Sequence, residues 1–175
     1  HPTFRRKRFF TGNTVRTKEG PEGGERLNDI VWLHAEGRPM EGDDWHAEGA
    51  VALGMYLNGR GIAGTDETGN PIVDDHFLLY FNAAEAAVEV ILPPEEYAAA
   101  WDVVIDTAAA QTDTKEHQPG STFLVEGRSV VVLREHVAAE PEPDHSVAAS
   151  VAALTGPERT HSRSSGRSGE RSRRR

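Results

Sequence analysis

Residues 74–84, DDHFLLYFNAA, decide how the rest of the chain is read. Phe77, Leu79 and Phe81 alternate along one face of an extended segment, and Leu78 and Tyr80 fill the other. Successive side chains of a strand point to opposite faces, so a surface strand carries apolar residues on one face only. This one is apolar on both. It predicts a strand covered from two sides, and raises the question of what supplies the second cover in 175 residues.

Short apolar runs recur on either side of it. Residues 30–34 (IVWLH) and 51–57 (VALGMYL) precede it. Residues 87–92 (AVEVIL) put Val88, Val90 and Leu92 on one face, and residues 101–106 (WDVVID) do the same for Trp101, Val103 and Ile105. Residues 122–125 and 128–133 flank a Glu126-Gly127 turn and predict a hairpin. Pro93-Pro94 ends the fourth run, and residues 95–100 predict one helical turn. Residues 58–75 and 107–120 read as loops. Strands at this spacing, separated by turn residues and not by long helices, predict a mainly β chain folded as an antiparallel β-sandwich. They exclude a doubly wound α/β domain.

The two ends read differently. Residues 1–10 (HPTFRRKRFF) look like the end of a helix, with basic residues in its last turn and Gly12 as its stop. In GDDW, Asp43 or Asp44 predicts the cap of a short helical turn that carries Trp45. Beyond Glu135 come an acidic, proline-containing linker, a weak helix over 146–154 and an Arg/Ser-rich tail with nothing to bury, which predicts disorder. The absence of an initiator methionine points to a piece of a longer chain.

The net charge of −9 is the sum of +6 over residues 1–18, −20 over 19–154 and +5 over 155–175. The acidic body has no electrostatic reason to bind nucleic acid. The basic ends lack the interleaved aromatics of a nucleic-acid site. No apolar run approaches the ~20 residues that span a bilayer. No cysteine is present, which removes disulfides, thiolate metal sites and a cysteine nucleophile. The cytoplasm is the expected compartment.

Candidate chemistry is sparse. The doublets Asp43-Asp44, Asp74-Asp75 and Glu95-Glu96 invite comparison with the carboxylate pair of glycoside hydrolysis. That pair stands ~5–9 Å apart across a scissile bond, and sequence neighbours on an extended chain point apart. These acids read instead as helix starts and a loop end. Asp74, Asp75 and His76 form no metal-ligand spacing, since adjacent residues rarely converge on one ion. No phosphate loop, dinucleotide fingerprint or nucleophile elbow is present, so no cofactor is expected. Among the aromatics, Trp101 heads an alternating strand and reads as core. Trp32 lies between Val31 and Leu33, and Trp45 lies in a polar stretch and reads as the most exposed of the three. Trp32 and Trp45 are the candidate substrate-binding residues, because an indole can stack on a sugar ring.

Four stretches taken in order resemble one family. HPTFRRKRFFTG, DIVWLHAEGRPMEGDDW, LGMYLNG and DDHFLLYFNA are similar to the C-terminal part of bacterial glycogen debranching enzymes. These are isoamylase-like members of the α-amylase superfamily, in glycoside hydrolase family 13. AVEVILP, WDVVIDT and VEGRSVVVL continue the likeness to about Arg134. The resemblance implies that residues 1–12 end the last helix of a (β/α)8 barrel, 13–49 connect, 50–135 form the C-terminal sandwich, and 136–175 are linker and tail. It implies a parent enzyme that hydrolyses α-1,6 branch linkages of glycogen-type glucans with retention. The nucleophilic Asp, the acid/base Glu and the assisting Asp of that family sit on the barrel, so no catalytic residue is assigned here. The implied partners are a branched α-glucan, met through the parent enzyme, and the barrel domain of the same polypeptide. The rival reading is a stand-alone carbohydrate-binding module.

Overall fold

The computed structural model describes residues 1–15, 27–111 and 115–137. The weak helix and disordered tail expected beyond residue 137 lie outside the described residues. Eight strands form among the described residues: β1 (Ile30–Leu33), β2 (Ala52–Leu57), β3 (Phe77–Asn82), β4 (Val88–Ile91), β5 (Trp101–Asp106), β6 (Glu116–His117), β7 (Thr122–Val125) and β8 (Ser129–Glu135). Six of them make one antiparallel sheet in the order β1-β2-β3-β8-β5-β6, and β4 pairs with β7 in a second. The expected antiparallel sandwich is what forms, with seven of the eight strands falling on the apolar runs. The two-residue β6 lies inside the stretch read as a loop. The sheet also starts earlier than residue 50, because β1 pairs with β2 from Ile30↔Leu57 to Leu33↔Gly54.

The hairpin expected across Glu126-Gly127 does not form. β7 pairs with β4, whereas β8 runs between β3 and β5, so the chain changes sheets at this turn. The turn is pinned to residues 84–85: Arg128 N donates to Ala84 O, and a Cβ on Gly127 would lie 1.9 Å from Glu85 O. Asn82 supports the corner, its Nδ2 lying within 2.9–3.0 Å of the carbonyls of Ala86, Val125 and Glu126. A tight turn joins neighbours in one sheet only when its ends can pair. Here those ends are already committed to different layers.

The interior lies between the two sheets. Leu33, Tyr56, Leu78, Tyr80, Trp101, Val103, Val131 and Leu133 of the large sheet meet Val90, Leu92 and Val125 of the small one. Leu78 and Tyr80 are therefore the inward pair, with no solvent exposure. The opposite orientation, with Phe77, Leu79 and Phe81 inward and Leu78 and Tyr80 facing a neighbouring domain, is the one the family resemblance suggests, and it does not occur. Phe77, Leu79 and Val132 belong to a second apolar cluster on the outer face of the large sheet, with Ile30, Met55, Phe81, Val104 and Val130 packed around it. The outer cover is local. The His1 and Phe4 rings each stand 4.7 Å from that of Phe77, and Phe10 joins the cluster.

The segment that supplies this cover is turned, not regularly helical. Phe4 N donates to His1 O and Arg5 N to Pro2 O. Arg6 then spends its guanidinium on the carbonyls of Thr3, Asn58 and Gly61. The backbone follows these sideways anchors. On β5, a register shift between Val103 and Ile105 turns Ile105 to the outer face, where it is 52% exposed, instead of beside Trp101 and Val103.

These orientations separate two truncations. Leu78→Ala is expected to cost about 3 kcal/mol of unfolding free energy, as for a fully buried leucine. Ile105→Ala is expected to cost about 1 kcal/mol or less. Urea denaturation of the two variants beside wild type checks the contrast, and equal losses would contradict the bulge.

Candidate functional site

The two sequence-selected tryptophans come together. Trp32 sits on the edge strand β1, opposite Met55 and thus on the outer sheet face. Trp45 rides on a short 3-10 turn, Asp43–His46. Their ring centroids are 6.1 Å apart with planes at 79°, an edge-to-face pair. Both are exposed, Trp32 at 38% and Trp45 at 49%. Trp101 is fully buried against Tyr56, as its strand position predicts.

One ion pair holds this geometry. Arg38 donates from Nη1 to Asp44 Oδ2 at 2.6 Å and from Nη2 to Oδ1 at 2.9 Å. Asp44 also accepts from Glu41 N, which closes the turn ahead of Trp45. These bonds hold the Asp44 carboxyl well below the usual carboxylate range and keep the Arg38 guanidinium charged. The cap expected of Asp43 or Asp44 does not form: the turn begins at Gly42 with no side-chain cap bond, because the Asp44 carboxylate is taken up by Arg38 and by Glu41 N ahead of the turn. The Arg38–Asp44 pairing had no sequence signal beyond opposite charges six residues apart.

A second polar centre lies beside the core ring of Tyr56, 5.4 Å from the His76 ring. His76 is fully buried and accepts from Gly59 N at Nδ1, 3.0 Å away. Arg60 lies against the other ring nitrogen, Nε2, and Glu135 Oε2 stands 3.9 Å from it. Glu135 accepts from Arg60 Nη2 at 3.0 Å and from His76 N at 3.3 Å. Burial first, and then the Arg60 charge, push the His76 pKa down from 6.5 to about 3. Nothing local in the sequence joins Arg60 to Glu135, which lies 75 residues away.

The remaining candidate carboxylates have structural partners. His1 Nδ1 lies 2.8 Å from Asp74 Oδ1, and with Asp75 these residues form the described cluster nearest to a metal-ligand arrangement. Asp74 Oδ2 accepts from Thr3 N, so both its oxygens serve to fasten the N-terminal segment. Asp75 stands 3.9 Å from Arg134. Glu95 and Glu96 lie in the turn closed by Tyr97 N on Pro94 O. No described helix is long and apolar enough to cross a membrane.

The strands, the β1 edge and its following turn coincide with a sequence family. Residues 29–134 match the family model described as the C-terminal domain of isoamylase. The chain belongs to that family. It is similar to the glycogen operon protein GlgX homologues of Mycobacterium bovis and of two Mycobacterium tuberculosis strains, at 38% identity over 136 residues in each case. The alignment covers 77% of this chain and 18% of each relative, so the chain spans about a fifth of their length. In this isoamylase C-terminal domain, the family match takes in the Trp32–Trp45 pair, the Arg38–Asp44 clamp, and His76 with Arg60, and it ends one residue before Glu135.

Acid stability should follow His76. Its pKa is depressed by folding, so its contribution is complete above pH 6.5 and is lost as the pH falls toward 3, where the folded imidazole also protonates. Between pH 6.5 and 4 this amounts to roughly 3 kcal/mol. Urea midpoints measured across that interval should fall steeply for wild type. His76→Gln, which can still accept from Gly59 N, should show a flatter profile.

Proposed function

We propose that this chain is the C-terminal sandwich of a glycogen debranching glycoside hydrolase. The parent enzyme hydrolyses α-1,6-glucosidic branch linkages of glycogen-type glucans with retention, in the cytoplasm. The chain contributes no catalytic carboxylate and acts by docking on the (β/α)8 barrel of the same polypeptide. The reading rests on the family match and on the similarity to the longer glycogen operon proteins.

The observation that carries docking is the outer face of the large sheet. The row Trp32–Met55–Leu79–Val132–Ile105 crosses five strands, and Leu53–Phe81–Val130 runs beside it. The N-terminal segment covers the Phe77 end of this face, while Ile105 at the β5 end stays in water. Leu79 and Val132 in the middle of the row are buried, and Ile105 is the exposed apolar side chain at its β5 end that another surface could cover. The segment already on it is the one that the family resemblance assigns to the end of the barrel, and this supports a barrel docked on the same face.

Two measurements test the proposal. The purified chain incubated with a branched limit dextrin is expected to release no reducing ends, and measurable release would overturn the assignment of catalysis elsewhere. Ile105→Lys is expected to change the stability of this chain by about 1 kcal/mol or less. In the parent polypeptide it should lower the melting temperature by several degrees. Equal small effects in both would remove β5 from the docking face.

A further inference from the structure

We infer that Trp32 and Trp45 form a surface site for α-linked glucan, an inference that rests on the glycan-processing reading above and adds to it a place where the domain itself holds the polymer. The two indoles are exposed on one edge of the large sheet and touch edge to face. Among the described residues, neither indole N–H donates to the protein. Each ring thus offers an apolar face and a donor, the pair of features by which a sugar's C–H face and hydroxyl rim are recognised.

The site is built before any ligand arrives. Trp32 is fixed by the β1–β2 ladder, where it opposes Met55, and its carbonyl accepts from Met40 N. Trp45 is fixed by the two-bond clamp of Arg38 on Asp44 and by the Asp44 bond to Glu41 N. Rigid aromatic anchors lose little conformational entropy on binding. Arg38 and Glu36 have accessible side chains on the loop that leads into the Trp45 turn and are bonded to each other at 3.3 Å.

The angle between the rings argues for the linkage. Planes at 79° cannot both lie flat on a straight ribbon such as a β-1,4-glucan, whose sugar faces are coplanar. An α-1,4-glucan coils, so successive sugars present faces at an angle to one another. The site lies at the opposite end of the outer-face row from Ile105: β1 is three strands from β8, about 14 Å across the sheet. A barrel seated over β8 and β5 leaves the β1 edge open.

The test uses the 175-residue chain and defined glycans. Co-sedimentation with glycogen reads polymer binding, and tryptophan fluorescence titrated with maltoheptaose or cellohexaose reads the linkage. The chain is expected to pellet with glycogen and to change its emission with maltoheptaose but not with cellohexaose. Trp45→Ala should weaken binding about tenfold or more with an unchanged far-UV circular dichroism spectrum. Trp45→Phe, which keeps an aromatic face, should retain most of it. Arg38→Met should weaken binding by releasing the turn that presents Trp45. A chain that stays in the supernatant and shows no emission change overturns the inference, as does a Trp45→Ala variant that binds like wild type. Equal response to cellohexaose overturns the selectivity for α-linkage. Failure here leaves the docking reading intact, because that reading is measured separately by Ile105→Lys in the parent polypeptide.

Discussion

Strand β3 is hydrogen-bonded along both edges, to β2 and to β8, and is covered on both faces. Leu78 and Tyr80 lie beneath the small β4–β7 sheet, and Phe77 lies beneath His1 and Phe4. The Tyr80 hydroxyl reaches Ile91 O at 2.9 Å, so the central strand is bonded to the opposite layer as well as packed on it. A strand held in this way fixes the register of both neighbours. From them follow the edge position of β1, the outward bulge on β5 and the corner at Asn82 where the chain leaves one sheet for the other.

Charged groups fasten what the apolar layers leave loose. Asp74 holds His1 and Thr3, Arg6 holds the carbonyls of Asn58 and Gly61, and Asp29 holds Thr11 and Gly12. The N-terminal segment is thereby tied to the sandwich along its length. The Arg38–Asp44 clamp does the same for Trp45 on a smaller scale. In both places the ion pairs set geometry, and burial of the aromatic and aliphatic faces provides most of the stabilisation.

Most of the strands were legible because alternation and turn residues act locally. Val88, Val90 and Leu92 share a face as their spacing predicts, and Trp101 is core. The failures came where pairing partners are distant. A Glu-Gly turn between two strands looks like a hairpin whether or not its arms share a sheet. Ile105 follows the alternation of Trp101 and Val103 in sequence, and only the bulge against β8 turns it outward. Of the candidate site, Trp32 and Trp45 were visible as residues able to meet a sugar. Their contact with each other, and the clamp that makes it rigid, were not.

The local pattern of residues is enough to establish a β-sandwich, a doubly buried β3 and membership of the isoamylase C-terminal family. Period-2 patterning, turn chemistry and motif order are properties of neighbouring residues, so they can be read without a fold. Only the tertiary structure decided which face of β3 points inward. Both faces are equally apolar, and the choice depends on whether β4 and β7 or the N-terminal segment lies opposite. The same holds for Arg60 and Glu135 around His76, since residues far apart in the chain become partners only when the sheet order brings their strands and loops together.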